Sequence, residues 1–219
     1  HRAALLDLTP RQVLAVAGDR LGGLYGAQLR RYRYGPAAFK LDLVLDGPIP
    51  WRNPDLASAG TVHIGGAYEE VAASERAVAA GGVLRRPFVL LAQPSAFDPS
   101  RAPEGRHVVW AYCHVPNGWT GDATEPILRQ VERFAPGFRD RIVASHAIGP
   151  ADLERGNANY VGGDINGGLQ HWAQQFTRPA LRLDPYATPD PRIFLCSSST
   201  PPGGGVHGLC GLHAARSAL

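Results

Sequence analysis

The sequence predicts an α+β protein: a mixed or antiparallel sheet of about five strands flanked by helices, followed by a C-terminal strand, glycine-rich turn and helix that stand apart from it. Three observations predict this. Residues 39–46 alternate apolar and mostly polar side chains with the period of a half-buried strand. Residues 123–134 place Ile127, Leu128, Val131 and Phe134 on one helical face. Regular patterning fades after Asn157 and returns only at Ile193, where a short apolar run leads into Pro201-Pro202-Gly203-Gly204-Gly205.

The remaining elements follow in chain order. Thr9-Pro10 is a helix start, a capping hydroxyl before proline at the first helical position, with Val13, Leu14, Val16 and Ala17 as its apolar face. Gly22-Gly23 interrupts it, and a second short helix is expected over 24–32. After the strand at 39–46, Gly47-Pro48-Ile49-Pro50 forces a stop. Residues 61–64 form a second strand, and Gly65-Gly66 leads into a helix over about 68–80 whose glutamates at 69, 70 and 75 favour its N-terminal half. Residues 87–92, 107–114 and 142–147 read as further strands, and 150–155 as a short helix. The segment 157–168 is rich in glycine and asparagine, hence a loop. Residues 168–176 allow a helical turn, and 178–191 are extended and proline-rich. The last strand is expected over 193–196, with helical patterning from Val206 onward.

Composition excludes several function classes. At 219 residues with 44% hydrophobic and 19% charged content, the chain has ample core for one large or two small domains. The net charge of +3 is scattered, with no polybasic run for nucleic acid or a membrane surface. The longest apolar runs, such as 88–92, are too short to span a bilayer. Cys113, Cys196 and Cys210 are too few and too dispersed for a disulfide framework and predict a reducing, cytoplasmic compartment. A chain without methionine that opens at His1 reads as part of a longer protein.

The C-terminal stretch carries the strongest functional signal. A strand, a glycine turn and a helix start together make an anion site, because unpaired N–H groups and the positive end of the helix dipole converge on the turn. Phosphates and nucleotide cofactors are the usual guests.

Phe39-Lys40-Leu41-Asp42, Gly47-Pro48-Ile49-Pro50-Trp51, Thr61-Val62-His63-Ile64-Gly65-Gly66, Glu132-Arg133-Phe134-Ala135-Pro136-Gly137-Phe138, Gly162-Gly163-Asp164-Ile165 and the terminal Pro-Pro-Gly-Gly-Gly-Val-His-Gly occur in this order. This ordered set resembles the phytoene-desaturase-like FAD-dependent oxidoreductases. The resemblance implies a flavin held by two separated segments: an N-terminal G-x-G-x-x-G gripping the ADP half, and a C-terminal segment that returns near the flavin. It implies that residues 1–189 are the substrate-domain half and 190–219 the C-terminal segment that completes the FAD-binding domain. It further implies FAD as cofactor, a lipophilic small-molecule substrate, and oxidation, desaturation or isomerisation as the chemistry. No strand followed by G-x-G-x-x-G occurs in this sequence; the glycines between 18 and 26 are wrongly spaced and follow a helical pattern.

The resemblance makes Gly203, Gly204, Gly205, Val206 and His207 candidates for backbone contact with FAD, with hydroxyl contacts from Thr200 and Ser199. Lys40, the chain's single lysine, is a candidate for a position near the reactive flavin nitrogen or for a plain exposed strand lysine beside Asp42. His63 and His114 are candidate catalytic residues or simply packed strand histidines. Trp110, Tyr112, Trp119, Trp172 and Phe176 would line an apolar tunnel or fill a core. Asp164, Asn166, Gln170 and His171 would face the flavin's substrate side or serve local turns. Cys196, His207, Cys210 and His213 lack paired metal-ligand spacing, so no metal is expected. Ser197–Ser199 lack a G-x-S-x-G elbow, which rejects a serine hydrolase. The alternative from another class is a non-catalytic module that binds an apolar ligand, forms a homo-oligomer, or docks a separate FAD-binding half.

Overall fold

The computed structural model describes residues 3–219; His1 and Arg2 lie outside the described residues. The chain divides into two compact units, one of residues 1–35 with 153–219, the other of residues 36–152.

The central unit is built on β2 (Ala37–Leu45), β3 (Thr61–Ile64), β4 (Val89–Ala92), β5 (His107–Val115) and β6 (Ile142–Ile148). These form one sheet in the order β3-β4-β5-β2-β6, antiparallel at every pairing. The alternation read in 39–46 becomes its two faces. Phe39, Leu41, Leu43 and Leu45 are buried, while Lys40, Asp42 and Val44 are half-buried on the other side. The buried face packs on α4 (Thr124–Phe134) through Ile127 and Val131, together with Trp51, Ala135 and Phe138.

The family-like sequence blocks have local structural work in this unit. Glu132 accepts the N–H groups of Gly137 (2.6 Å) and Arg139 (3.1 Å), which folds the Pro136-Gly137 turn so that Phe138 enters the core. Glu70, on α3 (Tyr68–Ala79), pairs in two-pronged fashion with Arg133 of α4 at 2.8 and 3.0 Å. It also accepts the Ala67 N–H at 3.1 Å, which closes the start of α3. These bonds hold the Glu70 carboxyl below the usual carboxylate range, the Arg133 side chain first among the causes.

The other unit is discontinuous. β1 (Ala4–Leu6) pairs in parallel with β7 (Ile193–Leu195), joining the two ends of the described chain. α1 (Pro10–Ala17) and α2 (Gly23–Arg30) pack Val13, Tyr25 and Leu29, with Leu21 from the turn between them, against Ile193 and Leu195. α5 (Pro150–Gly156), α6 (Trp172–Thr177) and α7 (Leu209–Ala218) complete the element list.

Several expectations need correction. The compact units do not divide at 189/190: β1 and both N-terminal helices pack with β7, and the loops from 157 to 189 go with them. β1 was not expected at all. Thr9 precedes α1, but its side chain makes no capping bond; its hydroxyl accepts from the Tyr34 hydroxyl at 3.3 Å. α7 begins at Leu209 rather than Val206, because Gly208 turns the backbone into the left-handed region (φ 62°) just before it. Among the described residues no helix is long and apolar enough to cross a membrane.

Phe138 is fully buried, whereas Val143 on edge strand β6 is exposed. Phe138→Ala is expected to destabilise the central unit by about 3–5 kcal/mol. Val143→Ala is expected to stay within about 0.5 kcal/mol of the parent chain. Urea unfolding followed by tryptophan fluorescence checks both.

Candidate functional site: a glycine turn on a buried arginine platform

The turn after β7 is held from below by a cluster of polar groups. The Gly167 carbonyl accepts from the Ser199 hydroxyl (2.6 Å), the Tyr32 hydroxyl (2.8 Å) and Arg178 Nη2 (3.4 Å). Arg178 Nη2 also donates to the Ser198 carbonyl at 2.9 Å, and Nε donates to the Ser199 carbonyl at 3.4 Å. Arg178 is 2% exposed. Its Nη1 is buried and has no hydrogen-bond partner. Burial is the main cause that pushes the Tyr32 phenol up to about 12, while the Arg178 charge pulls the other way.

On this platform Ser197 donates its hydroxyl to the Leu8 carbonyl (2.8 Å), and the Thr200 hydroxyl donates to the Ser197 carbonyl (2.8 Å). Thr200 and Ser199, expected as hydroxyl contacts to a cofactor, are thus buried with hydroxyls committed to the protein's own backbone. The backbone of Gly203–His207 is what the turn presents. Gly203 has φ +101°, a conformation that disfavours any side chain, and where its Cβ would stand, Arg178 Nη1 and Gln170 Nε2 both lie 3.6 Å away. Gly204 to His207 are exposed. His207 Nδ1 accepts the Leu209 N–H at 3.0 Å, which satisfies one orphan donor at the start of α7.

A concave space of about 320 Å³ lies here, lined by Cys196, Ser198, Gly203, Gly205, His207 and Gly208 among others. It suits one end of a dinucleotide better than a whole one. Burial, then the Asp7 carboxylate, push the Cys196 thiol up, which disfavours the nucleophilic thiolate. Three of the four candidate metal ligands are separately engaged. His207 caps α7, His213 stacks on Tyr186 (5.7 Å between centroids), and the Cys210 thiol faces the Thr200 and Gly203 carbonyls. A bare glycine backbone, the free donors of a helix start and an orphaned guanidinium nitrogen beneath them fit an anionic, acceptor-rich cofactor such as FAD.

Asp164 is fully buried and accepts the N–H groups of Gly35 and Asn166, each at 2.7 Å, the local-turn role among its two readings. His171 caps α6, accepting the Ala173 N–H at 3.3 Å. Trp172 and Phe176 are exposed on α6 of the discontinuous unit, whereas Trp110, Tyr112 and Trp119 belong to the central unit.

The central unit has a second candidate surface, the open face of its sheet. Register places His63, Leu90, Tyr112, Lys40 and Ile148 in one cross-strand row and Thr61, Ala92, Trp110, Asp42 and His146 in the next. Lys40 is ion-paired with Asp42, its neighbour on this face. His114 Nδ1 meets Glu75 at 2.9 Å, and His63 stands edge-on to Phe88 at 5.6 Å. Trp110 and Tyr112 stack nearly parallel. Trp119 instead packs edge-on against Phe39 beside the core. A groove of about 530 Å³ runs over Asp42, Val44, Val108, Trp110, Ala144 and His146, large enough for a small apolar ligand with a polar end.

No family model matches the chain. Its fold is similar to that seen in a crystal structure of an oxidoreductase from Methanosarcina mazei, which superposes with a TM-score of 0.52 at 13% identity, covering 97% of this chain and 41% of that one. The sequence relatives are more specific. Pyridine nucleotide-disulfide oxidoreductase domain-containing protein 2 of Mus musculus is 33% identical over 144 residues, 60% of this chain and 25% of that protein, and its Rattus norvegicus counterpart matches to the same extent. Phytoene dehydrogenase of Streptomyces griseus is 30% identical over 112 residues, 51% of this chain and 20% of that protein. The chain is homologous to these proteins over about 60% of its length and spans about a quarter of the mammalian relatives.

Two predictions concern the platform. Tyr25 and Tyr32 both have phenols raised to about 12 against an ordinary 10. The folded state therefore keeps protons that the unfolded chain releases, so their contribution to stability is complete below pH 10 and is lost as pH rises toward 12. Alkaline unfolding should begin in that window, and Tyr32→Phe should flatten the slope there while lowering neutral-pH stability by about 1 kcal/mol. Phenolate absorbance with parallel circular dichroism measures both. Gly168 has φ +144°, and a Cβ there would collide with the Tyr32 hydroxyl. Gly168→Ala is expected to cost at least about 1–3 kcal/mol, read by thermal unfolding.

Proposed function

We infer that the chain forms part of an FAD-dependent oxidoreductase acting on a lipophilic substrate, with the Gly203–His207 turn as the flavin-contacting segment. The observation that carries the reading is the glycine turn itself, exposed backbone at a helix start with a fixed charged platform beneath it. The oxidoreductase names of the relatives and the fold likeness support the same class.

FAD when bound would supply the redox chemistry, accepting two electrons from the substrate. In the protein, Gly203, Gly204 and Gly205 would admit the cofactor to backbone contact. Val206 and His207 would stand at the entrance to α7, with His207 already fixed by its bond to Leu209. The open sheet face would receive the substrate. Its stacked Trp110 and Tyr112 offer apolar area, and the Lys40–Asp42 and His114–Glu75 pairs could orient a polar end. Lys40, His63 and His114 would be titratable groups on that face able to move a proton, while Asp42 and His146 line the groove itself.

A second reading is favoured by one observation in the discontinuous unit. β1 pairs with β7 on one edge only among the described residues, and parallel strands are normally covered in larger sheets. On this reading the unit is a docking module for a separate FAD-binding half, or for a second copy of itself.

FAD uptake by the purified chain tests the first reading. Bound flavin is expected, with quenched fluorescence. Gly203→Val and Gly204→Val are each expected to weaken uptake at least about tenfold without loss of helical signal. A folded chain that takes up no FAD, or variants that bind as the parent does, would sink the assignment of the turn. Light scattering at increasing concentration addresses self-association.

A further inference from the structure

We propose that Arg178 is the built-in counter-charge for an anionic group bound at the Gly203–Gly205 turn. This rests on the cofactor reading but adds a residue and a charge requirement to it.

The argument begins with what Arg178 lacks. A guanidinium cannot be neutralised by losing its proton, so burying it costs several kcal/mol unless its donors and its charge are met. Two of its three nitrogens are used, on the carbonyls of Gly167, Ser198 and Ser199. Carbonyl dipoles satisfy donors but leave the net charge. Arg178 has no ion pair among the described residues, and Nη1 has no partner of any kind. Asp164, the buried carboxylate of the same unit, acts on the Tyr32 phenol together with Arg178 and so shares its surroundings, but its oxygens bond the N–H groups of Gly35 and Asn166 and none reaches Nη1.

The surroundings of Nη1 say where the missing negative charge belongs. Nη1 and the Gln170 amide nitrogen both lie 3.6 Å from the point where a Gly203 side chain would begin. Gln170 has turned its oxygen away to accept from Gln175, leaving its N–H groups on the Gly203 side. The start of α7 adjoins, with the positive end of its dipole. Cationic and donor groups thus collect at Gly203. The carboxylate that lines the same concavity, Asp7, is solvent-exposed, so its field is screened far more than that of the buried guanidinium. Nη1 is shut off from solvent beneath Gly203, so Arg178 acts through the thin glycine backbone: it is a positioning residue. A cofactor offers negative charge at its diphosphate and, once reduced, at its ring.

The test uses the full chain, Arg178→Met, Arg178→Lys and Gln170→Glu. Oxidised FAD is titrated by fluorescence, inorganic pyrophosphate by its effect on Tm against chloride of equal ionic strength, and the midpoint potential is measured on loaded protein. Arg178→Met should either weaken FAD and pyrophosphate binding at least about tenfold, which locates the anion at the diphosphate, or leave binding intact and lower the potential by about 30 mV per tenfold lost preference for the reduced form, which locates it at the ring. Arg178→Lys, which keeps the charge, should restore most of either effect. Gln170→Glu places a carboxylate at the same Gly203 position that Nη1 approaches, on an exposed residue. It should raise the Tm of the cofactor-free chain by about 2–4 °C while weakening FAD binding or lowering the potential. That arm decides the matter if Arg178→Met does not fold. Parent-like binding and potential in Arg178→Met, or in Gln170→Glu where Arg178→Met is unfolded, overturns the proposal and leaves the cofactor reading standing. If the parent chain binds no FAD, the cofactor reading fails for this chain. The pyrophosphate arm then decides alone: a Tm rise lost in Arg178→Met or Gln170→Glu supports the counter-charge, and no rise overturns it.

Discussion

The Gly167 carbonyl, with three donors on it, is the constraint on which the discontinuous unit depends. Tyr32 reaches it from the end of α2, Arg178 from the segment after α6, and Ser199 from the turn after β7. Four stretches far apart in sequence meet at one oxygen. Each bond to a charged donor contributes about 1.5–3 kcal/mol, against a desolvation cost of several kcal/mol for the guanidinium. The cluster therefore adds little net stability. It adds geometry, because four segments with almost no regular structure of their own can satisfy these donors in one arrangement only.

The central unit reaches order by the opposite route. Its sheet buries one face in an apolar layer, and no buried charge is needed to define it. What remains is an open face where alternation puts every second side chain of β2 and β5. That face carries the aromatic stack, the Lys40–Asp42 ion pair and the His114–Glu75 contact because the fold imposes no apolar demand on it. The same pleat that makes the core makes the surface, and shifting a strand by one residue would exchange them.

This difference explains which parts were legible in the sequence. Residues 61–64 were placed to the residue, and β2, β5, β6 and α4 to within two, because periodicity reports the burial of one face directly. The sheet was read as mixed or antiparallel and is wholly antiparallel. β1 was illegible because three exposed or half-exposed residues carry no period, and its partner lies at the other end of the chain. The unit boundary was missed for the same reason, since only a non-local pairing defines it. Arg178 left no signal at all. One arginine before a proline, in a chain whose basic residues are nearly all arginine, looks like surface composition until its burial is seen. The glycine turn is legible while the start of its helix is not, because small residues suit a helix locally and Gly205 and Gly208 nevertheless take backbone angles that a helix forbids.

The platform also bears on what the turn can do. Everything that shapes Gly203–His207 comes from within its own unit: Leu8 through Ser197, Gly167 through Ser199, Arg178 through Ser198, and the His207 cap on α7. A binding segment held this way does not need its ligand, or another domain, to find its shape, so little ordering entropy is charged against binding. On the proposed reading the affinity of the turn would be set by how many contacts and how much charge it meets, and Arg178, whose Nη1 has no hydrogen-bond partner in the protein, would favour a negative group there before any ligand arrives.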